Sequence, residues 1–334
     1  MSIRHTYQGT GFRNWTGRAG QYDRGFLLRL YRSMLRIRII EEEIEKRYHE
    51  DQMKTPIHLV IGQQPTDVDL LYSSHRTHGN YLAKGGDLKA MLSEMFCRAN
   101  GCAGSRGGSM HLIDKKVGMA GTSAIVGGAI PIATGAALAT QMQKLDRACV
   151  VFFGEAAAEE GVTSESLNFA AVKQLPMIYF CENNYYSVQS PLAPRQHPDR
   201  VVWKWAASYG MTAVTVDGTN VLAVYEATKE AVRRARAGGG PTFIEASLYR
   251  FRAHGGAGDD SKTGYRDVAE REAWERYCPI RTYHEFLERA GLIDARARQQ
   301  MEREILAETL AAFDHAMNSP NPVAADLYRN VYAS

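Results

Sequence analysis

The sequence has 334 residues, of which 45% are hydrophobic and 23% are charged, and its 40 basic and 37 acidic side chains leave a net charge of +3. This composition is typical of a folded globular protein and excludes a disordered chain, a coiled coil, a collagen and a strongly basic nucleic-acid-binding protein. A chain of this length can bury a sizeable core within one large α/β domain.

The cysteines and the apolar segments indicate the cellular compartment of the chain. The five cysteines are scattered and form neither a CxxC pair nor a Cys/His array with metal-ligand spacing, which favours the reducing cytoplasm. The N-terminus has no apolar stretch of the kind found in a secretory signal. Residues 117–143 are uncharged and long enough to cross a bilayer, but they are rich in Gly and Ala and contain Pro131. We therefore predict a helix packed inside protein, with no membrane span.

The first third of the chain combines one clear helix with long loops. Residues 1–25 are predicted to form an irregular N-terminal arm, and a helix is predicted to begin after Asp23, where apolar residues recur at helical spacing. From residue 56 to residue 128 the periodicity is weak and turn residues are dense, so only residues 88–98 are predicted to be helical. Loops of this length in a compact protein usually carry function.

The remaining elements alternate between buried strands and helices. Strand–helix–strand order predicts a doubly wound, mostly parallel α/β sheet with helices on both faces. We expect one α/β domain over residues 26–280, with a C-terminal helical segment, residues 281–334, packed on it and a helix capped by Asp294. The predicted strands are residues 148–154, 176–181, 211–216 and 242–249, and the predicted helices between them are residues 164–174 and 221–236.

Polar side chains follow two of these strands directly. The first strand ends at Gly154 and is followed by Glu155, and the second is followed by Glu182, Asn183 and Asn184. Because ligands of open parallel sheets bind beyond the carboxyl ends of the strands, these side chains are expected to meet in one site. Carboxylate, amide and carbonyl oxygens suit Mg²⁺ or Ca²⁺, and free backbone N–H groups suit a diphosphate held by that ion. The alternative is a surface acid and an asparagine turn.

The run GEAAAEEGVTSESLNFAAVKQLPMIYFCENNYYSVQSP, which begins at Gly154, resembles the GDG…NN signature of thiamine-diphosphate enzymes. More narrowly, the chain resembles the alpha subunit of the decarboxylating component of 2-oxo acid dehydrogenase complexes, the group of pyruvate, branched-chain and acetoin dehydrogenases. Further matching segments occur in family order over nearly the whole chain. They are LYRSMLRIRIIEEEI (30–44), HLVIGQQ (58–64), SHRTHGNYLAKGG (74–86), GGSMHL (107–112), IVGGAIPIATGAALA (125–139), YRFRAHGG (249–256) and SPNPVAADLYRNVYA (319–333).

The resemblance implies a role for individual residues. It makes Glu155, Asn184 and the carbonyl of Tyr186 the ligands of Mg²⁺, with Ca²⁺ as the alternative ion. The residues that it assigns to thiamine diphosphate are His75, Arg76, Ala124, Val126, Gly154, Glu155, Ala156, Ala157, Asn184 and His254. Among these, Arg76 and His254 are expected to contact the phosphates, and backbone groups near Ala124 and Val126 the aminopyrimidine ring. The predicted catalytic residues are His78, near the reacting end of the cofactor, and His254.

The resemblance also implies partners. In this family the glutamate that activates the aminopyrimidine ring comes from a beta subunit, so the chain is expected to form half of an active site in an α2β2 heterotetramer. The expected substrate is a small 2-oxo acid or an acyloin, and the expected acceptor is the lipoyl group of a separate acyltransferase. Neither nucleic acid nor membrane is expected as a partner.

Several positions depart from the family pattern. Glu155 and Ala156 stand where Asp and often Gly are usual; the extra methylene moves the carboxylate by roughly 1.5 Å, and Ala resists a positive φ or a close phosphate approach. Gln64 and Pro65 replace Glu and Ala, and about two turns of helix are missing after them. Gly255 replaces the serine of regulated relatives, which excludes phosphorylation at that position.

Two other functions remain open. The same cofactor serves carboligases, which join an activated aldehyde to another carbonyl in a biosynthetic pathway, and the GEAAAEEGVTSESLNF run and the GQQ change keep that reading in view. A chain of this fold can also be a non-catalytic regulatory subunit. Binding of thiamine diphosphate separates the regulatory reading from the other two.

Overall fold

The protein contains a six-stranded parallel sheet and a separate short hairpin. The computed structural model describes residues 16–53, 55–60, 70–260, 263–329 and 331. The strands are β1 (Leu70–Ser73), β2 (Met119–Thr122), β3 (Cys149–Gly154), β4 (Met177–Asn183), β5 (Tyr186–Ser187), β6 (Ser190–Pro191), β7 (Thr212–Asp217) and β8 (Thr242–Ser247). The large sheet has the order β2-β1-β3-β4-β8-β7 with every neighbouring pair parallel, while β5 and β6 pair antiparallel.

Helices cover both faces of the large sheet. They are α1 (Arg24–Tyr48), α2 (His78–Ala83), α3 (Leu88–Met95), α4 (Ala129–Met142), α5 (Gly161–Lys173), α6 (Val202–Ala207), α7 (Val221–Arg236), α8 (Val268–Glu275), α9 (Pro279–Arg289) and α10 (Ala295–Asn318). Apolar residues of α1, α3, α7 and α10 share one buried cluster, those of α4, α5 and α6 share a second, and a third joins α1, α7, α9 and α10. The predicted doubly wound α/β architecture is confirmed.

The two central strands, β3 and β4, are apolar up to their carboxyl ends because both of their faces are covered. In β3, Val150 and Phe152 belong to one cluster, whereas Val151 and Phe153 belong to the other. Successive side chains of a strand point to opposite faces, so a strand between two helical layers needs apolar residues at every position. This is why the continuous apolar runs were a reliable signal for β3 and β4.

Several predicted helix boundaries are confirmed, with capping as their physical cause. Asp23 accepts a hydrogen bond from the amide of Phe26 at 2.8 Å and starts α1, and Asp294 accepts one from Ala297 at 2.7 Å and starts α10. The predicted helix over residues 221–236 has the observed bounds of α7. Within the uncharged stretch only α4 is helical, and none of the described helices is both long and apolar enough to cross a membrane.

The prediction of loops with a single helix between residues 56 and 128 was wrong. That region contributes β1 and β2 to the sheet and also contains α2. Each of the two strands has only four residues, and four residues are too few for a clear periodicity. Their strand conformation depends on the pairing of β1 with β3 and of β2 with β1, which no local pattern records.

The C-terminal helix packs on the rest of the α/β unit. Ala312 and Phe313 of α10 are buried in the same cluster as residues of α1 and α3, and α10 runs along both of those helices. The domain limits at residues 26, 280 and 281 stay predictions. Most of the predicted N-terminal arm, residues 1–15, lies outside the described residues.

Candidate active site

A cavity of about 180 Å³ lies at the carboxyl edge of the sheet. The segments that follow β1, β3 and β4 meet there because the three strands are parallel neighbours, and Gly154 at the end of β3 is in register with Glu182 in β4. This is the place where ligands bind in open α/β sheets. The cavity therefore lies where the sequence predicted the site.

The structure brings together all of the predicted cofactor and metal residues. Those that line the cavity are His75, Arg76, Ala124, Val126, Gly154, Glu155, Ala156, Ala157, Asn184, Tyr186 and His254. They come from five separate segments of the chain, so their meeting depends on the sheet order. Gln64, Pro65 and the shortened segment after them fall in residues 61–69, outside the described part of the chain.

Glu155 is a buried carboxylate at the end of β3. It begins a five-residue 3₁₀ helix, Glu155–Glu159, and is 1% exposed. Burial raises the pKa of Glu155, and the guanidinium of Arg195, whose Nη2 lies 2.7 Å from Oε1, acts in the opposite direction. A buried carboxylate at a cavity wall strongly favours a cationic partner.

The oxygens next to Glu155 come from the turn that follows β4. Asn184 is buried, and its side-chain oxygen accepts a hydrogen bond from the amide of Tyr186 at 3.1 Å. Asn183 instead points away from the site and donates to Glu245 at 2.7 Å. Of the two asparagines, only Asn184 lines the cavity.

The prediction did not assign Glu182 a role, yet its carboxyl group also lines the cavity. It is 9% exposed, and burial raises its pKa to about 7, with Arg76 acting against the shift. The signal was present in the sequence, because Glu182 lies in the same strand-end run as Asn184.

A second group of residues that line the cavity is basic. Arg76 is 6% exposed and donates hydrogen bonds to the carbonyls of Leu59 at 2.9 Å and His254 at 2.7 Å. Burial, followed by the nearby Arg250, lowers the pKa of Arg76 to about 9, so the guanidinium remains charged at neutral pH. A buried cation that faces a cavity favours an anionic ligand.

Three imidazoles, those of His58, His75 and His254, form a cluster beside Arg76. Their ring centroids lie 4.7 to 5.3 Å apart. Burial and the charge of Arg76 lower their pKa values to about 3, 2 and 4, so all three are neutral at pH 7. Nδ1 of His58 and Nε2 of His75 have no hydrogen-bond partner among the described residues.

The imidazole cluster could geometrically hold a metal ion, since its ligand atoms lie within 4.8 Å of one another. However, Arg76 places a full positive charge next to it, with Nη2 3.5 Å from Nδ1 of His254. That charge disfavours a divalent cation and favours an anion, to which each neutral ring can donate one N–H group. We therefore interpret this wall as the anion-binding wall.

His78 is the predicted catalytic residue that the structure does not bring to the cavity. Its side chain is fully buried, with Nδ1 2.7 Å from Oε1 of Glu41 and Nε2 2.8 Å from Oγ of Ser109. Both ring nitrogens are thus engaged inside the protein. The prediction relied on its nearness to Arg76 in sequence, but the side chain points toward α1.

The two glycine-related departures have little structural cost. Ala156 is not among the described residues with a positive φ, so the lost glycine is not needed for a left-handed conformation. At Gly255, an added Cβ would lie only 3.1 Å from Nε2 of His58. The glycine therefore leaves room for the imidazole cluster.

Comparisons with known proteins agree with this geometry. The profile of the dehydrogenase E1 component family matches residues 28–325. The chain belongs to this family. It is 35% identical over 315 residues to the alpha subunit of acetoin:2,6-dichlorophenolindophenol oxidoreductase from Bacillus subtilis, an alignment that covers 91% of this chain and 93% of that one.

Two further relatives widen the range of activities in the family. The alpha-3 subunit of the chloroplastic pyruvate dehydrogenase E1 component of Arabidopsis thaliana is 35% identical, over 92% of this chain and 74% of its own. The alpha subunit of 2-oxoisovalerate dehydrogenase from Bacillus subtilis is 37% identical over 268 residues, 80% of each chain. The resemblance identified from the sequence is confirmed.

Sequence reasoning missed Arg195, which pairs with Glu155 from the segment after β6. Forty positions separate the two residues, and the strands that place Arg195 are two residues long. No local pattern marks such a contact. It could be anticipated only from the general rule that a buried carboxylate requires a cationic partner.

Proposed function

We propose that this chain is the alpha subunit of a thiamine-diphosphate-dependent oxidoreductase that binds the metal–diphosphate end of the cofactor. The observation that carries the proposal is that two kinds of residue line one cavity. Glu155, Asn184 and Tyr186 can supply oxygen ligands, and Arg76 with three neutral imidazoles forms the basic wall.

The donor set fits Mg²⁺. A buried carboxylate, a carboxamide oxygen and a backbone carbonyl are hard oxygen ligands, and Mg²⁺ typically joins a few such protein oxygens to phosphate oxygens and water. The carboxylate of Glu155 already takes a cationic partner, Arg195, at 2.7 Å. Ca²⁺ tolerates a less regular ligand geometry and is the alternative ion if the longer glutamate side chain leaves the site irregular.

The basic wall fits a diphosphate. Arg76 supplies a fixed charge, while His75 and His254 can each donate a neutral N–H group without adding a charge that must be desolvated. The turn formed by residues 154–157 lines the same cavity. His58, which was not among the predicted residues, also lines it, and its Nδ1 has no hydrogen-bond partner among the described residues.

The cavity is too small to be a complete active site. Its volume of about 180 Å³ lies below the roughly 300–1,000 Å³ of ordinary small-molecule sites. Val126 at its rim is 53% exposed, and the adjacent Ile125 is 74% exposed. A beta subunit that covers this rim and contributes the activating glutamate, in an α2β2 assembly, would complete the site.

The relatives suggest the substrate class. Acetoin, pyruvate and 2-oxoisovalerate in their names are small carbonyl compounds in which a second oxygen function is next to the reacting carbonyl. When bound, thiamine diphosphate would supply a nucleophile for the reacting carbonyl and an electron sink that allows the bond between the two oxygen-bearing carbons to break. We propose a small 2-oxo acid or acyloin as substrate and the lipoyl group of an acyltransferase as acceptor. This chain's residues hold the charged end of the cofactor in place, and we assign His254 a contact with it rather than a proton transfer.

We assign His78 a structural role. Its two nitrogens bridge Glu41 in α1 and Ser109 in the loop before β2, and the same carboxylate accepts the amide of Val60 at 2.7 Å. This network supports the loop that carries His58 and stands below the cavity. The catalytic role predicted for His78 is therefore replaced by this proposal.

The experiment is a titration of thiamine diphosphate with Mg²⁺ into the chain, alone and with its beta subunit, by isothermal calorimetry. We expect binding that requires both components and strengthens when the beta subunit is present. Undetectable binding in both cases would overturn the proposal and favour a non-catalytic subunit.

Turnover of the reconstituted pair then identifies the reaction. We expect reductive acylation of a lipoyl domain when pyruvate, branched-chain 2-oxo acids or acetoin is supplied. Product formed only when an aldehyde or ketone acceptor is present would instead identify a carboligase.

A further inference from the structure

Arg195 contacts the proposed metal site from outside the cavity. Its Nη2 donates to Oε1 of Glu155 at 2.7 Å, and its Nη1 donates to Glu159. Arg195 does not line the cavity, whereas Glu155 does. The guanidinium therefore holds a residue of the cavity wall without lining the cavity itself.

The arginine is itself held in place. Its Nε lies 3.3 Å from the carbonyl of Ser190 and 3.2 Å from that of Pro191, so the β5–β6 hairpin fixes the base of the guanidinium. Its side chain is 13% exposed. Little side-chain entropy remains to be lost when it binds Glu155, which makes it a rigid support.

Within the described residues, Arg195 is the only side chain that donates to Glu155, and the bond goes to Oε1. Oε2 receives no hydrogen bond from a described side chain, and the carboxyl group also accepts one from the backbone amide of Glu155 itself. A carboxylate held by one oxygen in this way has a defined orientation at the other.

The carboxylate at position 155 needs such support because a glutamate stands there. Glutamate has one more rotatable bond than the aspartate usual at this position in the family, and a free carboxylate at its end can adopt several rotamers. A hydrogen bond from a fixed guanidinium selects one of them.

Charge decides whether Arg195 helps or opposes a cation. Alone, the guanidinium would repel a divalent ion close by. Here Glu159, whose side chain is 24% exposed, pairs with the same guanidinium. With both carboxylates ionised, the three groups carry one net negative charge, and of Glu155 and Glu159 only Glu155 lines the cavity.

We propose that Arg195 is a positioning residue of the metal site: it fixes Oε1 of Glu155 so that Oε2 is presented to a divalent cation in the cavity. This inference rests on the proposed function, since it concerns the same metal. Carboxylate and histidine ligands of metals are commonly oriented by such a partner, and loss of the partner typically lowers metal affinity by about 10- to 100-fold.

The test measures Mn²⁺ binding by electron paramagnetic resonance in the complete alpha–beta protein with saturating thiamine diphosphate. We expect Arg195→Gln to weaken Mn²⁺ binding by at least about tenfold. Arg195→Lys keeps the charge but not the fixed fork, so it should recover part of that loss.

Arg200→Gln is the matched control. Arg200 lies in the same segment and donates to the carbonyl of Ala158 at 2.8 Å, so it supports the same 3₁₀ helix without contacting Glu155. We expect Mn²⁺ affinity within about twofold of wild type. Equal losses in Arg195→Gln and Arg200→Gln would reduce Arg195 to a general packing role and overturn the inference.

Glu159→Gln tests the charge balance. It leaves Arg195 on Glu155 but removes the compensating carboxylate, so metal binding should weaken, by less than in Arg195→Gln. Tighter binding in Arg195→Gln would mean that Arg195 competes with the metal, and unchanged binding would mean that it does not position Glu155; either result would overturn the inference. If the wild-type protein failed to bind Mn²⁺, that result would overturn the proposed function itself, and this inference, which rests on it, would be overturned as well.

Discussion

His75 and His78 are three residues apart in the sequence but have opposite surroundings. His78 makes hydrogen bonds through both nitrogens, to Glu41 and Ser109, and is fully buried. His75 belongs to the open imidazole cluster, and its Nε2 has no partner among the described residues. The same motif, SHRTHG, thus supplies one closed structural contact and one unfilled binding contact.

The difference shows how a buried polar group reveals its role. A polar group whose hydrogen bonds are satisfied within the protein contributes to folding stability. A group left unsatisfied at a cavity wall destabilises the unliganded protein until a ligand supplies its hydrogen-bond partner. The closed group, His78 with Glu41 and Ser109, is expected to control stability. The open group, the imidazole cluster of His58, His75 and His254, is expected to control cofactor affinity. Each of the following predictions separates these two quantities.

The largest effect is expected at the cavity. Glu155→Ala removes the one carboxylate of the proposed metal site and should abolish detectable Mg²⁺-dependent binding of thiamine diphosphate in calorimetry. The sheet should remain folded, as judged by circular dichroism, because the change removes a ligand and not a core side chain. Glu160→Ala, at an exposed position nearby, is the control. Retained binding in Glu155→Ala would mean that the metal is held elsewhere.

A change in the closed group should lower the stability of the protein and leave cofactor affinity unchanged. Glu41→Ala leaves the His78 ring nitrogen and the amide of Val60 without their acceptor, and two such losses cost about 2–5 kcal/mol of unfolding free energy. The measurement is equilibrium unfolding in urea. Glu42→Ala, whose side chain is 41% exposed, should leave the midpoint near wild type. If instead cofactor affinity fell while stability held, the closed group would belong to the site.

From the open imidazole cluster we predict that the unfolding free energy of the unliganded protein depends on pH. Because the pKa of His75 is lowered from 6.5 to about 2, the unfolded state binds a proton below pH 6.5 that the folded state does not, and stability falls as pH falls through this window. His58 and His254 act in the same direction, whereas Glu182, with a raised pKa, acts in the opposite direction.

A variant isolates the contribution of His75 from the other groups. His75→Gln should reduce the slope of unfolding free energy against pH, between pH 6 and pH 4, by roughly 1.4 kcal/mol per pH unit, the value for one proton. Urea unfolding at several pH values measures this slope. A slope unchanged by the variant would show that His75 titrates alike in both states.

The smallest effect is expected on the surface. Arg32 and Glu304 join α1 to α10 through an ion pair whose side chains are 41% and 46% exposed. Solvent screening leaves such pairs with little net effect, so Arg32→Ala should not measurably shift the urea midpoint or the cofactor affinity. A clear shift would mean that this surface is covered in the assembled protein.

Much of the central fold was predictable because its signals are local. The buried strands β3 and β4 carry continuous apolar runs, and the caps at Asp23 and Asp294 mark helix starts. In contrast, β1 and β2 are four residues long and become strands through pairing with their neighbours, so no local pattern identifies them.

The site was predictable to a similar extent. The family resemblance named the residues that line the cavity, because strand ends and motif order fix their positions. It could not give the direction of the His78 side chain, which depends on its packing against α1. Nor could it give the contact between Arg195 and Glu155, because that contact joins residues forty positions apart through a short hairpin.

The most direct test of the account is the position of the metal. Crystals of the alpha–beta protein grown with Mn²⁺ and thiamine diphosphate would locate the ion through its anomalous scattering. The account predicts one anomalous peak per alpha subunit, within ligand distance of Glu155, Asn184 and the carbonyl of Tyr186, with diphosphate density extending toward Arg76. A peak elsewhere, or diphosphate bound without an ion at Glu155, would contradict it.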